Sequence, residues 1–154
     1  MRPLKHVTIA VIVLGFLHGC ASGRSEEEFE ARVSKLVDHT TKSATAEQTA
    51  FRELEAFGPR VVPYLVGHLG DMRPLAENKI SFESRASDTF EGVRHYSPGT
   101  VHDALAAILN AITGQSFVFV YNGATGAERE KNRRSWIEWC RATYPDQADV
   151  CSGE

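Results

Sequence analysis

The sequence predicts a mainly α protein: a compact bundle of about five helices with one short β or extended element and a long central loop. Three observations carry this expectation. Apolar residues recur at helical spacing over several separate stretches. Hydroxyl residues followed three positions later by an acid or glutamine stand where those stretches begin, and glycines stand where they end. The 154 residues are 42% hydrophobic and 24% charged, a composition that supports a packed core rather than a disordered or fibrous chain.

The elements follow in chain order. Ser25 and the glutamates Glu26, Glu27 and Glu28 open a helix over residues 25–39, because acids suit the positive end of the helix dipole. Phe29, Val33, Leu36 and Val37 form its apolar stripe. After a polar break, Thr45 and Gln48 have capping-box spacing, and Ala50, Phe51, Leu54 and Phe57 line the next helix up to Gly58. Pro59 restarts the chain, and Val62, Leu65, Val66 and Leu69 continue the helical spacing to Gly70, with Pro63 in the first turn. The short junction predicts an antiparallel hairpin of these two helices.

Residues 74–99 are polar and carry no helical stripe. Ile80 and Phe82 alternate, and Phe90, Val93 and Tyr96 do so more loosely, which fits a weak hairpin in an otherwise irregular loop. Thr100 and Asp103 cap the strongest helix, lined by Val101, Leu105, Ile108, Leu109 and Ile112 and closed at Gly114. Residues 116–121 (SFVFVY) read as a strand or an extended buried segment. Asn122-Gly123 turns the chain, and Thr125 with Glu128 caps a last helix ending near Thr143.

The first residues read as an address. Arg2 and Lys5 precede an apolar run over residues 7–17, shorter than the roughly 20 residues that span a bilayer but suited to a secretory signal. Leu17-His18-Gly19-Cys20 resembles the lipobox of bacterial lipoproteins, with His18 in place of the usual small or apolar residue. The resemblance implies a signal peptide over residues 1–19, cleavage before Cys20, lipidation of Cys20 and, because Ala21 rather than aspartate follows, the outer membrane in preference to the inner. The lipidated tether is expected over residues 20–25 and the folded domain over residues 26–154. Loss of Arg2 and Lys5 takes the formal charge from −3 to −5. No basic excess points to nucleic acid.

With Cys20 lipidated, Cys140 and Cys151 remain. An exported, oxidising compartment favours a disulfide between them, which would pin the tail to the last helix. The alternative is one buried thiol and one at a frayed end.

Residues 54–66 (LEAFGPRVVPYLV), then Leu69, Asp71 and Arg73, resemble one unit of a HEAT-type helical repeat. Residues 109–117 (LNAITGQSF), with Trp136 and Trp139, resemble the C-terminal end of uncharacterised bacterial HEAT-like proteins. Solenoids need about three repeats. The resemblance therefore implies a small HEAT-like bundle and no particular activity.

Catalytic chemistry is not expected. His39, His68, His95 and His102 form no His-Glu-x-x-His pattern. His95 and His102 could share a metal only if the central loop folded back on the long helix. Ser116 lacks the second glycine of a nucleophile elbow. No cofactor, metal ligand or catalytic residue is assigned. Trp136 and Trp139 read as core. The loop residues Phe82, Phe90, Arg94, His95 and Tyr96 are the candidate partner-binding set, since aromatic and arginine anchors on a loop match interface chemistry. The expected function is a non-catalytic protein-binding lipoprotein facing the periplasm. An immunity-type lipoprotein that neutralises a periplasmic toxin and an envelope hydrolase are the alternatives.

Overall fold

The structure is a computed structural model and describes residues 20–83 and 92–153. It is mainly helical, as the sequence predicts. The α-helices are α1 (Cys20–His39), α2 (Ala44–Ala56), α3 (Val62–Gly67), α4 (Val101–Thr113), α5 (Gly126–Thr143) and α6 (Ala148–Ser152). The strands β1 (Ile80–Glu83) and β2 (Val93–Tyr96) form one antiparallel pair, with Ile80 opposite Tyr96 and Phe82 opposite Arg94.

α1 begins at Cys20, ahead of the expected start at Ser25, so the segment read as a polar tether continues the helix. It contains no proline, and the turns docked on the core supply the nucleus from which helix propagates. Phe29 is its first core residue, followed by Val33, Leu36 and Val37.

The cap of α2 is Ser43 rather than Thr45: the extended backbone of Ser43 lets its hydroxyl accept from the Ala46 N–H at 3.3 Å. The following glutamate, Glu47, is buried and accepts the Glu77 N–H at 2.6 Å. The Ala76 N–H donates to the Thr40 carbonyl, so two bonds fix the chain ahead of β1.

The helical run from Gly58 to Gly70 is not one α-helix. A 3-10 turn (Gly58–Val61) leads into α3, and another (His68–Gly70) follows it. A continuous α-helix would need the residue-63 N–H to reach the carbonyl of residue 59. Residue 63 is proline and has no N–H. Instead the Val62 N–H bonds the Pro59 carbonyl, and α geometry starts there. The broken helix also changes the packing. α2 lies mainly against α1 and α4, while α3 is central and packs on α4, α5 and α6 rather than forming the expected hairpin with α2.

α4 is the buried axis of the fold. Val101, Ala104, Leu105, Ala106, Ala107, Ile108 and Leu109 are all inaccessible or nearly so. Its capping box forms as expected, and Gly114 closes it at φ +72°. The N–H groups of Val101 and His102, which have no partner within the helix, donate to the carbonyls of Arg73 and Asp71. Residues 116–121 carry no strand but do supply the buried Val120 and Tyr121. Asn132 of α5 donates to the Val118 carbonyl there at 2.7 Å. Trp136 is fully buried, edge-on to Phe117 and Trp139.

The C-terminal residues are an element rather than a tail. Cys140 of α5 and Cys151 of α6 form a disulfide, with Cα atoms 5.9 Å apart. α6 then lies on α3 at backbone distance: a Cβ on Gly67 would stand 2.6 Å from the Val150 carbonyl oxygen, and one on Gly153 would stand 2.7 Å from that of Gly67. Gly153 also has φ +69°, so glycine is required there twice over.

Candidate functional site

The hairpin β1–β2 carries most of the sequence-nominated residues, and the alternation of a strand sorts them. Ile80 and Phe82 face inward and are buried. Phe82 is therefore a core residue and not an exposed anchor, because its side of the sheet lies against the helices. Arg94 is exposed and Tyr96 half-buried. On the outer face the Ser81 hydroxyl and His95 Nδ1 are 2.8 Å apart, with His95 exposed. Phe90 lies outside the described residues.

Tyr96 is joined by residues the sequence reading did not nominate. Its ring meets those of Tyr121 (5.2 Å between centroids) and Phe119 (6.5 Å), and Phe119 meets Tyr121 at 4.8 Å. Phe119 is 57% exposed and Val93 40%. Residues 116–121 read in the sequence as a strand or an extended buried segment, yet Phe119 within them is exposed. The structure turns it outward because the segment is not a strand.

Among the described residues, grooves lie at two places, one of them beside β1. The first, about 340 Å³, lies between α2 and β1. The second, about 370 Å³, lies where α1, α3 and α6 meet. In the second, Ser34 Oγ is 3.1 Å from His68 Nε2. Nothing in the sequence links residues 34 positions apart, so this pair was not legible. A nucleophile also needs its base oriented by a third group. Asp71, whose charge His68 feels, instead turns both carboxylate oxygens to Arg73, at 2.6 to 3.0 Å. Ser34 and His68 thus form a polar wall. Beside them the Tyr64 hydroxyl donates to Glu26 at 2.7 Å; burial, reinforced by that carboxylate, pushes the phenol up to about 12.

His102 is buried, whereas His95 is exposed. His102 lies between α4 and the chain before it, with Nδ1 against the Leu69 carbonyl at 2.5 Å. Its neighbour Asp103 is also buried. Arg129 of α5 meets Asp103 through Nε–Oδ1 at 2.7 Å and Nη2–Oδ2 at 2.8 Å. Among the described residues, no group of three or more His, Cys, Asp or Glu side chains could hold a metal ion.

Burial pulls both His68 and His102 below the ordinary histidine range. The unfolded chain therefore takes up protons, near pH 6.5, before the folded one does. Stability from these groups is complete above that pH and is lost as pH falls through the window between the unfolded and folded values. The thermal midpoint should drop as pH is lowered from about 8 to 5, and His102→Gln should flatten the profile. A pH-independent midpoint in the parent protein would contradict the burial argument.

Among the described residues no helix is long and apolar enough to cross a membrane. No known protein family, curated protein or solved structure matches this chain.

Proposed function

We propose that this chain is a lipid-anchored protein of the bacterial envelope. It is held at Cys20, faces the periplasm from the outer membrane in preference to the inner, and acts as a non-catalytic protein-binding module. The observation that carries this reading is the order of the leader: basic residues, an apolar run, and Leu17-His18-Gly19-Cys20. The Cys140–Cys151 disulfide supports it, since such bonds persist in oxidising compartments. Each buried methylene contributes about 0.8 kcal/mol, and two or more acyl chains hold a protein where one does not. The binding role is supported by the exposed Val93 and Arg94 of β2 and by the exposed Phe119 beside the Tyr96–Tyr121 ring pair. Apolar and arginine side chains held in the open by a packed scaffold suit a protein interface. The small HEAT-like bundle read from residues 54–73 belongs to the same proposal.

The test is Cys20→Ser, expressed in the native host and followed by fractionation. The variant should leave the membrane fraction almost completely, while the parent stays in it. Equal membrane retention of the two would sink the anchor. Cross-linking in intact cells, followed by purification of the tagged parent, should then yield one protein in stoichiometric amount; recovery of the chain alone would remove the binding role.

A further inference from the structure

The groove between α2 and β1 has a second wall of a particular kind. One side is a single face of α2, from Gln48, Phe51, Arg52 and Glu55. The other is the unbroken run of residues 79–82. Consecutive strand residues point to opposite faces, so a cavity touching all of them runs along the edge of the strand rather than against one face. β2 pairs on the other edge, and among the described residues β1 has no second strand partner. A strand edge presents a row of main-chain donors and acceptors that template another strand. The floor of the groove is apolar, from the buried Phe51, Ile80 and Phe82. Among the described residues that line it, Arg52 and Lys79 are exposed at the rim, two cations against the carboxylate of Glu55, in a protein whose overall charge is negative.

We propose that this groove receives an extended peptide segment of a protein partner, which adds as a strand along β1 and places an acidic side chain between Arg52 and Lys79. Main-chain pairing supplies the affinity, and alternate side chains supply the selectivity: one set enters the apolar floor, the other meets the cationic rim. The inference rests on the protein-binding reading above and names its site and the chemistry of its partner.

The probe is a random nonapeptide library displayed on phage, selected against the lipidated protein extracted in detergent. Enriched peptides should alternate apolar residues with aspartate or glutamate. They should slow amide hydrogen exchange over residues 80–82. The double variant Arg52→Glu/Lys79→Glu should weaken them by about tenfold or more, since reversing rim charges turns attraction into repulsion. Both side chains are exposed, and an unchanged thermal midpoint shows that the variant remains folded. Three results would each overturn the proposal: no enrichment, enriched peptides that bind the double variant as well as the parent, or protection confined to another face. A protein that fails this selection yet still cross-links its partner in cells retains its binding role and loses only this site.

Discussion

Replacing Asp103 by alanine is expected to cost the fold about 3–5 kcal/mol, the range for breaking a buried ion pair by removing one partner. Asp103 is inaccessible and does two jobs at once. Its Oδ2 accepts from the N–H groups of Gly99 and Thr100, at 3.0 and 3.2 Å, which closes the capping box of α4. Its two oxygens hold the Arg129 guanidinium, whose side chain is only 16% exposed, and so tie α4 to α5. Alanine strands that guanidinium and two N–H groups together, and desolvated groups left unpaired cost more than the bonds contributed. Urea unfolding measures the loss. Adding Arg129→Met to the alanine variant should recover part of it, because the uncompensated charge leaves with its side chain. A loss below about 1 kcal/mol for Asp103→Ala would put the pair at the level of an exposed salt bridge and contradict its structural role.

The second large effect is expected at the disulfide. Opening Cys140–Cys151, by reduction or by Cys140→Ala/Cys151→Ala, should lower stability by roughly 3 kcal/mol, the chain-entropy value for a loop of this order; the two cysteines are 11 residues apart. The loop holds the short α6 against α3, where Gly67 and Gly153 meet at backbone distance. A five-residue helix has no independent stability. Once released, α6 should fray and expose the central α3. Accelerated amide exchange over α6 and α3 in the reduced protein, with the urea midpoint lowered, is the expected pair of results. An unchanged midpoint in reductant would mean that α6 docks without its covalent tie.

The caps most dependent on local chemistry were the most legible. Thr100 with Asp103 and Thr125 with Glu128 form the boxes that their spacing announces. Thr45 with Gln48 has the same spacing but begins too late, because Ser43 already caps the helix and local pattern does not rank two neighbouring candidates. The Pro59–Pro63 pair held a signal that apolar periodicity overrode: the missing donor splits the segment, and with it goes the simple α2–α3 hairpin. Phe82 and Phe119 exchanged places, one buried and one exposed, since which face of a short strand or extended segment meets the core is set by distant packing. Tertiary contacts alone bring Ser34 to His68 and β1 to α2. The sequence offers nothing at those spacings, which is why the groove proposed for a partner was found only in the fold.

The anchor proposed at Cys20 would set the compartment, and with it the meaning of the disulfide and of any partner. The most direct measurement is the intact mass and N-terminal peptide mass of the protein purified from native membranes. A chain that begins at Cys20 with acyl chains on that residue is the predicted result. A membrane-derived chain that retains residues 1–19, or begins elsewhere with Cys20 unmodified, would contradict it.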